Sequence, residues 1–501
     1  MNPQITRSAR GARAIKTGLS VMLAALLPAC ANYAGIHSDK QMAKPQQFET
    51  TQSLPAEGGH WPAANWADQF GDAQLKALIE EALKGNPTIA QARARIAGAQ
   101  AYAGTAKAST MPRVDASYSL TRQQYSSTTL IPPPFAGSWQ TENKGLLGAS
   151  FDLDLWGKNR AALKAALSQV QASEADAEVV KLTLTTSVAR TYNQLARLYV
   201  LHDIAQQEVG RREQIDRITA GRIATGLDTE VERKTAQANL ATARSALAAL
   251  DGSILTTRYQ LAALMGEGPD RGLAITRPAL GIGDQVRLPD NLPANLVGRR
   301  PDIVAARWRV DALTHEVKEA KAEFYPDINL SAAIGLDAFG FGRFLTAASR
   351  TASVGPAIYL PIFDGGALRA QLKGRYADFD DAVATYNQTL ISALSNVATE
   401  LAQIRSSDLQ IGDAQAAQQD ARGADELALT QYKGGLTNQL TVLNADVLTL
   451  QADQAVANLL MDRRDQKIAL ASALGGGYVD RSSDATHRAG SAAPSNSLAA
   501  R

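Results

Sequence analysis

Histidine, paired acids and glycine runs are where chemistry would show first in these 501 residues. There are five histidines: His37, His60, His202, His315 and His487. H-E-V-K-E (315–319) opens like a zinc-protease motif but lacks the second histidine four residues on. It reads instead as a solvated helix face. Asp152 and Asp154 are the spacing of an acid–base pair. Residues two apart on a strand share a face, however, and these could line a water-filled lumen without catalysing anything. G-G-G (475–477) has no strand-then-helix context to cradle a phosphate and reads as a helix stop. The expectation is no catalytic residue, no metal site and no enzyme.

Cys30 is the only cysteine, so no internal disulfide can form. Before it stand Arg7, Arg10, Arg13 and Lys16, no acid, and the almost wholly apolar run from Leu19 to Leu27. That is a secretory signal, and the run is too short to span a bilayer, which takes about 20 residues. L-P-A-C (27–30) resembles a bacterial lipobox, with Pro28 as a departure at a variable position. Residues 1–29 would then be removed and Cys30 would carry covalent lipid, the only attached group expected and no other cofactor. Ala31 rather than an aspartate follows, which by resemblance to other lipoproteins favours the outer membrane. Loss of four basic residues takes the net charge from +2 to about −2, so no basic field marks a nucleic-acid partner.

The elements that position these residues come in duplicate. N-P-T-I-A-Q-A-R-A-R-I (86–96) matches R-P-D-I-V-A-A-R-W-R-V (300–310), and A-S-T-M-P-R-V-D-A-S-Y (108–118) matches A-E-F-Y-P-D-I-N-L-S-A (322–332). F-D-L-D-L-W-G-K-N-R (151–160) faces Y-L-P-I-F-D-G-G-A-L-R (359–369), and I-A-T-G-L-D-T-E-V (223–231) faces Y-K-G-G-L-T-N-Q-L (432–440). Each half opens with a proline at a first helical turn, Pro87 and Pro301. Period-two alternation follows: Val114, Ala116, Tyr118 and Leu120, then Leu147, Ala149, Phe151, Leu153 and Leu155. The second half alternates at Ile328, Leu330, Ala332, Ile334 and Leu336, then Val354, Pro356, Ile358, Leu360 and Ile362. Each half therefore holds a hairpin, about 113–156 and about 327–363.

Beyond the hairpin the period turns helical. Lys158 to Val209 contains neither Gly nor Pro, and the pattern continues to about Thr225. Such a helix is roughly 100 Å long at 1.5 Å per residue. Arg375 to Ile411 and Leu436 to Leu474 repeat it. The domain plan is 1–29 signal, 30–85 lipidated N-terminal segment, 86–270 first repeat, 271–299 linker, 300–478 second repeat and 479–501 disordered tail. Four strands cannot close a barrel, since outer-membrane barrels start at about eight. The chain must associate with copies of itself, in a number left open by composition and periodicity, or else form a coiled-coil lipoprotein spacer with no pore.

Five motifs carry a resemblance: L-V-G-R-R-P-D-I-V-A-A-R (296–307), F-Y-P-D-I-N-L-S-A (324–332), F-D-L-D-L-W-G-K-N-R (151–160), P-I-F-D-G-G-A-L-R-A (361–370) and Y-K-G-G-L-T-N-Q-L-T-V-L-N-A (432–445). In this order and spacing the chain resembles the TolC-like outer membrane factor family, in its NodT-type lipoprotein branch. The resemblance implies a mainly α fold with a transmembrane β part. As a homotrimer it would form a 12-stranded barrel in outer-membrane lipid and a long periplasmic α-helical tube. The implied role is a passive exit duct of a tripartite efflux system in a Gram-negative outer membrane. A periplasmic adaptor would couple it to an inner-membrane pump of the resistance-nodulation-division type. W-P-A-A-N-W-A-D-Q-F-G-D-A-Q-L-K-A-L-I (61–79) resembles the belt around the tube. Gly226-Leu227 and Gly435-Leu436 would be the periplasmic tips that meet the adaptor, and Leu440 with Asn444 the constriction. Members often carry an aspartate where Asn444 stands. Either Asn444 makes a neutral amide ring, or it faces a neighbouring helix and Asp446 or another group supplies the charge.

Overall fold

In a computed structural model the described residues are 33–128, 132–281 and 287–480. Cys30, the signal segment and 481–501 lie outside them. In chain order the main elements are helices α1 (Ala73–Gly85) and α2 (Pro87–Ala108), strands β1 (Arg113–Gln124) and β2 (Trp139–Asp152), and helices α3 (Lys158–Ala224), α4 (Glu230–Met265), α5 (Pro269–Leu273), α6 (Leu292–Arg299) and α7 (Pro301–Ala322). Strands β3 (Asp327–Phe339) and β4 (Arg350–Tyr359) and helices α8 (Ala367–Lys433) and α9 (Gln439–Ala473) complete the second half. The α3 and α8 helices are each 67 residues, roughly 100 Å by their rise.

Two compact units divide the chain, and they interleave. One comprises Met1–Met42, Ala97–Ala172 and Ala306–Tyr386; the other comprises Ala43–Ile96, Ser173–Ala305 and Asn387–Arg501. The first holds a four-stranded antiparallel sheet in the order β1-β2-β3-β4, so β2 against β3 joins the two halves of the duplicated chain. The register sorts the side chains. Ala116, Leu147, Ile334 and Ala352 make one row across all strands; Val114, Ala149, Ala332 and Val354 make the next; Phe151, Leu330 and Pro356 follow. Since paired residues share a face, the apolar positions of both hairpins fall on one side. On the other side are Asp115, Ser117 and Ser119, and Lys144 pairs with Asp337 at 3.7 Å. Aromatic residues mark both ends. Tyr125 and Phe135 pack on Phe339 near the loops, and Trp156 stacks on Tyr325 at 4.6 Å beside the helices.

The strands stop earlier than alternation predicts. Leu153, Leu155, Leu360 and Ile362 lie beyond β2 and β4. For β2 the cause is Asp152, its last residue, with Asp154, which lies beyond the strand, so the two are not a strand-borne pair facing a lumen. Asp152 accepts from the Asp154 amide at 2.9 Å, and Asp154 turns left-handed at φ 42°. The Asp154 carboxylate then accepts the amides of Asn159 and Arg160, both at 3.0 Å, which caps the start of α3. In the second half Asp364 does the same for α8, accepting Gly366 N at 2.9 Å and Leu368 N at 2.7 Å. These bonds hold the Asp364 carboxyl below its ordinary value. His315 also departs from expectation. It is half-buried rather than solvated, and burial lowers its pKa.

The second unit holds the main core. Trp66, Phe70, Leu75 and Leu78 from the N-terminal segment pack on Leu184, Val188, Tyr192 and Leu195 of α3, with Leu261 and Met265 of α4 and Ile468 of α9. Each such burial contributes about 1.5–3 kcal/mol. Fully buried Tyr192 keeps its hydroxyl satisfied by donating to Asp72 at 2.8 Å and accepting from Gln74 at 2.6 Å. The triple glycine stops α9 and also packs tightly. All three residues have positive φ, and a Cβ on Gly475 would sit 1.9 Å from Arg299 O, one on Gly477 2.3 Å from the Ala63 carbonyl carbon.

Candidate functional site: the helix-turn tips

The two turns expected as tips are built alike. At the end of α3, Gly226 has φ 73° and Leu227 N donates to Arg222 O at 2.9 Å; at the end of α8, Gly435 has φ 76° and Leu436 N donates to Gln431 O at 2.9 Å. A left-handed glycine with a bond reaching five residues back is the Schellman arrangement, which satisfies otherwise orphaned carbonyls. The next helices start with capping side chains. Thr229 accepts from Val231 N at 3.2 Å while Glu232 returns a bond to Thr229 N at 2.8 Å, and Asn438 accepts from Thr441 N at 3.2 Å. Leu227 is 64% exposed and Leu436 82%, so each turn presents an aliphatic residue to solvent.

A polar clamp that spacing did not reveal ties the turns together. Arg222 donates to both Asp228 oxygens, at 2.9 and 3.1 Å, and to Tyr432 O at 3.1 Å. Its guanidinium lies 4.5 Å above the Tyr432 ring. The Tyr432 hydroxyl donates to Asp228 at 2.7 Å. Burial raises the Tyr432 pKa; it also works against Asp228, but the bonds from Arg222 and Tyr432 prevail and hold that carboxyl below its ordinary value. The Asp two residues after Gly226 and the Tyr three before Gly435 are the traces of this clamp in the sequence.

Leu440 is 63% exposed, and Asn444, one turn on along α9, is exposed on the same face. Asp446 does not supply a surface charge. It is buried between the Arg211 Nε at 3.1 Å and the Arg212 Nη2 at 2.6 Å, close in charge but without hydrogen-bond alignment. Glu208, 2.5 Å from the Arg212 Nε, and Asp425, 3.7 Å from Arg211, complete the cluster. Among the described residues no group of acids, histidines or cysteines could hold a metal, and no helix is long and apolar enough to cross a membrane.

The model of the family described as outer membrane efflux protein matches residues 78–267 and 292–476. The chain belongs to the outer membrane efflux protein family. The two matched segments are the two halves of the duplication. Multidrug resistance outer membrane protein MdtP of Shigella flexneri is 32% identical over 468 residues, 90% of this chain and 94% of MdtP. Fusaric acid resistance protein FusA of Burkholderia cepacia is 40% identical over 317 residues, 62% of this chain and only 59% of FusA. The crystal structure of the outer membrane protein VceC of Vibrio cholerae superposes with a TM-score of 0.79 at 37% identity, covering 83% of this chain and all of VceC. This efflux protein is thus a Gram-negative outer-membrane protein of a transport family. The open sheet with one apolar face, which a coiled-coil spacer would not need, is what the membrane placement requires.

Proposed function

We propose that this efflux protein is the outer-membrane exit duct of a tripartite efflux system, a passive conduit for small molecules. The observation that carries the reading is the sheet. It has one apolar face and two unpaired edges of 12 and 10 residues. In hydrocarbon each unpaired backbone group costs several kcal/mol, so the edges must meet other edges. Three copies would close a barrel of about twelve strands, within the known range of such barrels. The 67-residue helices then make the tube wall. Cys30, carrying lipid, ties each protomer to the same membrane.

The tips at Gly226-Leu227 and Gly435-Leu436 meet a periplasmic adaptor that leads to an inner-membrane pump of the resistance-nodulation-division type. Two exposed leucines on rigidly capped turns suit an apolar partner surface. Leu440 and Asn444 form the constriction, where three amides can hydrogen-bond across the axis while an acidic ring would repel itself and hold cations. Burial of Asp446 supports this choice, since that residue has its charge partners already.

Single-particle electron microscopy of the detergent-purified protein tests the duct. A threefold particle with a short barrel and a tube of roughly 100 Å is expected. A thin rod without a lumen, or a compact monomer, would overturn the reading. In planar bilayers Asn444→Asp should conduct with much stronger block by divalent cations than the unaltered protein. Comparable block in both would remove the neutral ring.

A further inference from the structure

We propose that the cleft between the start of α3 and the end of α7 binds the headgroup phosphate of an anionic glycerophospholipid from the leaflet on the helix side of the barrel. Both walls belong to one chain and one compact unit, so the site exists in each protomer. The cleft measures about 680 Å³ and its lining includes Arg160, Lys164, His315, Lys318 and Lys321, with no carboxylate. Arg160 is held by Asp154 at 3.1 Å. Lys321 lies over the rings of Tyr33 and Tyr376, at 5.8 and 5.4 Å. Lys164 and Lys318 are exposed, and both act on the His315 imidazole to disfavour its charge. The His315 Nδ1 is buried with no hydrogen-bond partner among the described residues. Asp311 touches His315 from beyond the lining, at 3.7 Å, and is itself engaged by Ser168 at 2.6 Å. Lys164 and Lys318 both line this one cleft, so an anion seated there is attracted by the two of them.

Position along the chain selects a lipid over a soluble anion. Trp156 and Tyr325 form the membrane end of the cleft; β2 ends four residues before Trp156 and β3 begins two after Tyr325. Trp and Tyr concentrate at the level where hydrocarbon gives way to headgroups. Lys164 lies six residues into α3, roughly 9 Å from its start at 1.5 Å per residue, and a helical side chain leans toward the helix N-terminus, here the strand end. That puts the Lys164 charge within reach of the headgroup layer of roughly 5–7 Å, while Lys318 lines the same cleft one turn before the end of α7, with the acyl chains leaving past Trp156 toward exposed Leu155. The inference rests on the sheet spanning the membrane and on nothing about adaptor or pump.

Native mass spectrometry of the full-length detergent-purified protein tests it. Phosphatidylglycerol and phosphatidylcholine are titrated separately into the unaltered protein and into the double variant Lys164→Gln, Lys318→Gln. Both lysines are exposed, so the variant should fold. Phosphatidylglycerol adducts should exceed phosphatidylcholine adducts on the unaltered protein and fall roughly 10–30-fold in the variant, the size expected of two cations at a membrane surface. Equal adducts of the two lipids, or no loss in the variant, would overturn the site. So would displacement by millimolar inorganic phosphate, which would mark a free-anion site. The same spectra report oligomeric mass: absence of trimer speaks against the duct, whereas trimers without lipid preference speak only against this cleft.

Discussion

At the residue scale the buried charge cluster on α3, α8 and α9 has an unequal count. Glu208, Asp425 and Asp446 face Arg211 and Arg212, three acids against two bases. Burial, then the neighbouring Glu208, pushes the Asp446 pKa up to about 7 against the pull of Arg212 and Arg211; burial raises Asp425 too. Between the ordinary value of 3.8 and about 7 the folded state binds a proton at Asp446 that the unfolded chain does not. Stability therefore rises as pH falls through 7 and the gain is complete below the unfolded value. Asp446→Asn leaves two acids and two bases. It should raise the thermal midpoint near pH 8 and flatten its dependence between about pH 6 and 8. Circular-dichroism melts at the two pH values decide; an unchanged slope in the variant would discard the assignment. Of this cluster, helical spacing relates only Glu208 to Arg211 and Arg212, three and four residues on along one helix. Asp425 and Asp446 are supplied by other helices, and no spacing rule links residues more than 200 positions apart. Tyr432's part in the clamp with Arg222 and Asp228 was hidden for the same reason.

At the element scale the duplicated plan was legible because periodicity is a local signal. Period two located both hairpins, and the long run without Gly or Pro located α3. Strand ends were less legible. The Asp152–Asp154 and Asp364 carboxylates take up amides that would otherwise extend a ladder or hang free, and alternation of Leu153 and Leu155 cannot report that. Close approach of strands was also silent. A Cβ on Gly335 of β3 would lie 2.0 Å from Gly145 O on β2, where backbone cannot yield, whereas one on Gly355 of β4 would meet nothing within 4 Å. Gly335→Val should split the only seam between the two halves of the sheet, costing at least the 1–3 kcal/mol of an overpacked core and removing most heat-resistant oligomer. Gly355→Ala should leave the oligomer intact. Semi-native electrophoresis of both variants measures this, and equal oligomer yields would contradict the seam's role.

At the scale of the whole molecule, the sheet and the lipid proposed on Cys30 would both act at the membrane, and their shares can be separated. The chain just after Cys30 is already fastened by protein contacts. Tyr33 meets Phe324 edge-on at 5.5 Å and its hydroxyl lies 3.2 Å from that of Tyr325. Ile36 is buried among Val317, Ala320, Phe324 and Leu372, and Ser38 donates to Asp380. Lipid on Cys30 would then raise the local concentration of protomers on the bilayer without holding their fold. The barrel, whose apolar face spans the hydrocarbon, carries lasting attachment of its own once it closes. Cys30→Ala behind an ordinary cleavable signal should lower the yield of assembled protein several-fold and leave the conductance of each assembled channel unchanged. Intact-mass measurement of the unaltered protein checks for the lipid, and planar-bilayer recording checks the channel. Trimers that vanish completely in the variant would mean that the lipid, rather than the meeting of strand edges, drives assembly.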